Sequence, residues 1–185
     1  MDAALVEPPV SSDVYIPSEP SSIISGLYSG HAQITQFQSA SLSGTYQYLR
    51  GVVDGVSYAG SAGLSSAGTA FTAGNIGTPG NVAFLQGGGS SISATLSDFS
   101  EGVSYTFSFL AAQRLGNRQD VQVLLDGRPL GTIKPHSDGT YTEITTQSVS
   151  PGTGSHTLTF VGIDSAGGDR GAPGYLNSGL RFQSE

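Results

Sequence analysis

A chain of 185 residues with 11% charged side chains, a formal net charge of -7, 27 glycines and no cysteine already excludes several classes. The acidic balance and a single lysine, Lys134, argue against nucleic acid as a partner, and no apolar run reaches the length needed to insert in a membrane. Without cysteine there is neither a disulfide framework nor a thiolate metal site.

Residues 1–22, MDAALVEPPVSSDVYIPSEPSS, hold four of the nine prolines and no sustained periodicity. They read as an extended arm, with the domain proper spanning 23–185. Such a stretch has no apolar face to bury, but it can lend backbone hydrogen bonds to a sheet edge. The expectation is that it lies along the domain or contacts another protein chain. It lacks the basic start and apolar core of a secretory signal. The expected location is still extracellular or the surface of a virion, reached after removal of a signal or by release within a particle.

From there the pattern is β. HAQITQFQ alternates, and TYQYLRG and VVDGVSYAG read as short strands with turns at Gly51 and Asp54-Gly55. In NVAFLQGGGSSISATL, period-two patterning flanks a glycine cluster, so Gly87 to Ser91 is expected to connect a hairpin. A phosphate loop would need a helix and a lysine after the glycines, and neither is present. SYTFSFLAAQR alternates through Tyr105, Phe107 and Phe109, and Asp126-Gly127 marks a hairpin in VQVLLDGRPLGTI. SHTLTFVGID puts His156, Leu158 and Phe160 on one face, which makes His156 a packed core residue. SGLRFQ closes the series. No segment supports an amphipathic helix of ordinary length. The class is all-β: a two-sheet β-sandwich of jelly-roll type with an extended N-terminal arm. Its expected core includes Phe84, Ile92, Leu96, Tyr105, Phe107, Phe109, Val121, Val123, Leu125, Leu158 and Phe160.

The blocks AGTAFTAGNIGTPGNVAFLQGGGSSISATL, GVSYTFSFLAAQR, VQVLLDGRPLGTI, YTEITTQSVSPGTGSHTLTFVGID and GGDR occur in an order that resembles galactose-binding-domain-like jelly rolls. They are similar to non-catalytic carbohydrate-binding modules of bacterial and phage surface proteins, over roughly residues 45–183. The chain departs from that pattern by containing no tryptophan and by running from GGDR into GAPGYLNSGLRF.

The resemblance implies a lectin-like binding module whose partner is a glycan or cell-surface polysaccharide, carried on a larger assembly by the arm. An alternative is a purely structural virion protein: a capsid decoration, fibre or tail component. A glycoside hydrolase is disfavoured, because the acids at Asp54, Asp126, Asp138 and Asp164 each have a turn to explain them. A sugar site needs planar donors and an aromatic face for the apolar side of a pyranose. The candidates are Tyr58, Asn75, Gln86, Gln113, Arg114, Asp169, Arg170 and Tyr175, with Tyr46 and Tyr48 as further aromatic platforms. Arg114 and Asp169 have a second reading as a structural ion pair. No cofactor is expected. A structural calcium, of the kind such jelly rolls often carry, would draw on Asn117, Asp120, Asp164 and Asp169.

Overall fold

Alternation of apolar and polar residues at period two builds strands whose alternate side chains enter one core. The computed structural model describes residues 33–34, 42–66, 81–113, 120–135, 140–163 and 174–184, the first and last of these through their backbone pairing. The arm over 1–22 lies outside the described residues. Thirteen strands are present among those described, and no helix. In chain order they are β1 (Gln33–Ile34), β2 (Tyr46–Tyr48), β3 (Gly51–Val53), β4 (Val56–Ala59), β5 (Ala62–Ser66), β6 (Asn81–Leu85) and β7 (Ser91–Phe99). They continue as β8 (Tyr105–Gln113), β9 (Val121–Leu125), β10 (Arg128–Ile133), β11 (Thr142–Thr145), β12 (Gly154–Gly162) and β13 (Gly174–Ser184).

The strands form two antiparallel sheets. One has seven strands in the order β11-β8-β13-β6-β5-β2, with β1 added against β13. The other has six, in the order β10-β9-β12-β7-β4-β3. Two hairpins behave as their Asp-Gly pairs predict. Asp54 and Gly55 have φ of 49° and 77°, and Asp126 and Gly127 have 50° and 76°. Two successive positive values match the right-handed twist of the strands they join.

The glycine cluster at 87–89 is a correction to the sequence reading. It does not close a hairpin, because β6 pairs with β5 and β13 while β7 pairs with β4 and β12. The segment is an arch from one sheet to the other. Gly89 N–H donates to the Gly162 carbonyl at 2.8 Å, and Gly162 N–H donates to that of Ser90 at 2.9 Å. Alternation identifies both strands, but it carries no information about which strand each one pairs with.

Between the sheets lies one apolar core. The six-stranded sheet contributes Val56, Tyr58, Ile92, Leu96, Val121, Val123, Leu125, Leu158 and Phe160, and the seven-stranded sheet Leu64, Leu85, Phe107 and Phe109. Phe109 and Phe160 meet across the interior at 5.1 Å and 84°, an edge-to-face contact that joins the two sheets. Tyr105 is half-buried at the margin. Phe84 is buried as expected, but in a second cluster with Val82, Ala112 and Tyr141. Val82 and Phe84 alternate with Ala83 and Leu85 of the main core, so this cluster belongs to the outer face of the seven-stranded sheet.

Candidate functional site

Strand pairing gathers the described candidates Gln86 and Gln113 at one pole of the sandwich. Gly174 is the register partner of both Leu85 and Gln113, so β6, β8 and β13 reach the same pole with Gln86 just beyond. Gln113 is buried there at the end of β8. Tyr175 is the register partner of Phe84 and Ala112. Asn75, Arg114, Asp169 and Arg170 lie outside the described residues, and so does any Arg114–Asp169 pair.

Tyr58 does not belong to an exposed site. It is 4% exposed, and it alternates inward with Val56 on β4. Burial raises its phenol pKa, with the charge of Asp54 adding to the effect. Its ring is core, because the inward face of β4 is set by Val56 two residues earlier.

The aromatic surface sits instead on β2, at the edge of the seven-stranded sheet. Tyr46 and Tyr48 are 42% and 47% exposed, and as residues i and i+2 they share one face of the strand. Their rings meet edge to face, 6.1 Å apart at 89°. Tyr48 also stands edge-on to Phe84, at 5.2 Å and 85°. Its hydroxyl donates to Oε1 of Gln86. Desolvation, with Tyr46 as a second cause, raises the Tyr48 pKa, so the phenol stays a neutral donor at ordinary pH.

One strand, β5, separates Tyr48 from the phenylalanine it touches. Its register partner on β5 is Gly63, whose own partner on β6 is Phe84. With no side chain at Gly63, the tyrosine ring crosses β5 and reaches Phe84. A Cβ at Gly63 would run into the Gln47 carbonyl and come within 2.9 Å of Tyr48 Cα. The result is a corner of two perpendicular phenols, held from behind by a buried phenylalanine and from the side by an amide. With Gln86 Oε1 engaged by the tyrosine, the amide NH2 is the part that can donate elsewhere.

Of the oxygen donors considered for calcium, Asp120 alone is described. Its carboxylate lies 3.9 Å from the Lys134 ammonium. Among the described residues no group of three or more carboxylates or imidazoles converges on a point.

Solved structures are similar to this chain. A Stig cyclase from Fischerella sp. TAU, in complex with (3Z)-3-(1-methyl-2-pyrrolidinylidene)-3H-indole, is 14% identical with a TM-score of 0.54, over 82% of this chain and 94% of that one. The β-(1,4)-mannanase GH26-CBM35 of Podospora anserina is 14% identical with a TM-score of 0.50, over 85% of this chain and 28% of its own. A family 35 carbohydrate-binding module from Clostridium thermocellum is 16% identical with a TM-score of 0.47, over 64% and 86%. No family model and no curated protein matches the chain.

Proposed function

We propose that the chain is a non-catalytic carbohydrate-binding module whose aromatic platform is the Tyr46–Tyr48 corner. The observation that carries this reading is the pair of half-exposed phenols on an uncharged strand, fixed by Phe84 and Gln86. A pyranose lays its C–H face on an aromatic ring and directs its hydroxyls to planar donors beside it. Gln86 is the donor nearest that platform. Asn75, Gln113, Arg114, Asp169, Arg170 and Tyr175 are proposed as the further polar and aromatic contacts. The jelly roll itself does not choose between binding and catalysis, since it is shared with 94% of the cyclase chain and with only 28% of the GH26-CBM35 mannanase chain. The geometry of the tyrosine corner therefore carries the reading. In it, residues 1–22 tether the module to another chain outside the cell.

The test is affinity electrophoresis against a panel of soluble polysaccharides, followed by titration calorimetry with the oligosaccharide of any that retards the protein. A shallow corner predicts dissociation constants on the order of 10 μM to 1 mM. Tyr48→Ala and Tyr46→Ala are expected to weaken binding at least tenfold. A parent protein retarded by no polysaccharide overturns the reading, and so do tyrosine variants that bind as the parent does.

A further inference from the structure

At the pole opposite the tyrosine corner, His156 is enclosed by oxygen acceptors. The sequence places it in the core, but the structure puts it at the rim, 15% exposed in its side chain, with its ring edge-on to Phe99 at 5.0 Å. Nδ1 lies 2.5 Å from Oδ2 of Asp126, and Nε2 lies 2.8 Å from the carbonyl oxygen of Gly152. Neither a carboxylate nor a peptide carbonyl has a proton to give at neutral pH. A neutral imidazole has one N–H and one bare nitrogen, so one of these two contacts would set lone pair against lone pair. Only the imidazolium satisfies both.

The surroundings explain why the ring is held there. Asp126 begins the turn after β9 and exchanges two bonds with Thr157: its N–H donates to the Thr157 carbonyl at 2.9 Å, and Thr157 N–H donates to its Oδ1 at 2.8 Å. One carboxylate oxygen thus replaces a backbone carbonyl at the end of the β9–β12 ladder, which leaves the other for His156. On the far side of β12, Ser97 and Asp98 of β7 oppose the single residue Ser155, and this bulge immediately precedes His156. Glu101 N–H donates to Thr153 Oγ1 at 3.0 Å, securing the same segment from the β7 side.

We propose that His156 is a protonation-dependent latch that joins the Asp126 turn to the 150–154 segment and opens at the Gly152 end when it loses its proton. The charged groups on the elements around it are Asp126 and Arg128 of the β9–β10 hairpin, Asp98 of β7 and Glu101 of the following turn. Of these, Asp126 is the one in contact. The bonds to Asp126 and to Gly152 hold the imidazole pKa above its ordinary value. On deprotonation the proton leaves from Nε2, because the Nδ1–H remains bonded to a carboxylate. The Gly152 carbonyl then loses its donor while the Asp126 contact persists, so release is one-sided.

The experiment is an NMR titration of the intact protein. The 15N shifts of the His156 ring are expected to show both nitrogens protonated at pH about 6, with a midpoint above the ordinary value of about 6.5. Amide exchange at Glu101, whose N–H is held by Thr153 Oγ1, should quicken through that same midpoint, beyond the intrinsic pH dependence of the backbone, while the Thr157 amide keeps its protection. Asp126→Asn should lower the midpoint by about one pH unit or more. A His156 midpoint at or below 6.5, or a bare Nε2 while Asp126 is ionised, overturns the latch. Should Asp126→Asn fail to fold, the parent's ring shifts and the residue-specific exchange decide the matter alone.

Discussion

The ring of Tyr48 rests edge-on against that of Phe84, 5.2 Å away, although a whole strand runs between the two that carry them. The contact exists because the intervening register position is Gly63. This relation makes a buried glycine responsible for the pose of an exposed aromatic.

Gly63→Ala is therefore expected to be costly despite its small size. The added methyl meets the Gln47 backbone and the Tyr48 Cα, neither of which can rotate away. Overpacking of this kind costs about 1–3 kcal/mol, or a melting temperature lower by roughly 2–10 °C at this chain length. Thermal denaturation measures it, and an unchanged melting temperature would contradict the packing described.

Tyr48→Phe separates the hydroxyl from the ring. The bond to Gln86 is lost from a half-exposed site, so stability should change by less than about 1 kcal/mol. The ring and its contact with Phe84 remain. Calorimetry should give a loss of affinity smaller than that of Tyr48→Ala.

Phe107 is fully buried, the third residue of β8. Phe107→Ala removes the ring from a core that has packed around it and should cost about 3–5 kcal/mol in chemical denaturation. An effect below about 1 kcal/mol would mean that the inward face of β8 is the other one.

The His156–Asp126 contact gives stability a signed dependence on pH. The imidazole pKa is raised on folding, so its contribution is complete below the ordinary value of about 6.5 and is lost as pH rises through the folded value. The Asp126 carboxyl is lowered, first by the Thr157 N–H and then by His156. Its contribution is present above the ordinary value of about 3.9 and is lost as pH falls through the depressed one. The melting-temperature advantage of the parent over His156→Gln should be widest between those limits and narrow towards alkaline pH.

Much of the fold was legible in the sequence because alternation and Asp-Gly pairs are local signals. Asp126 and Gly127 turn with the positive φ that an Asp-Gly pair tolerates. Partner choice is a non-local property, which is why the glycines at 87–89 read as a hairpin and proved to be an arch. The same limit applies to the site. Tyr46, Tyr48 and Tyr58 look alike as text, yet Tyr58 faces the core while the other two sit on an edge strand with solvent beside it. Gln86 could be picked out from its position after an apolar strand, but its tyrosine partner lies 38 residues away. The one available signal was Gly63, a glycine inside a strand, which marks a close approach of something else.

The position of β13 also sets an order of events. The strand at 174–184 lies between β6 and β8 and is in register with both. Until those residues leave the ribosome, β6 and β8 each present an unpaired edge, and the seven-stranded sheet exists only as two fragments. The six-stranded sheet is complete once Gly162 has emerged, so it can assemble first and wait with its apolar face uncovered. Synthesis therefore passes through a stage in which half the sandwich is exposed to chance strand pairing, and insertion of β13 ends it.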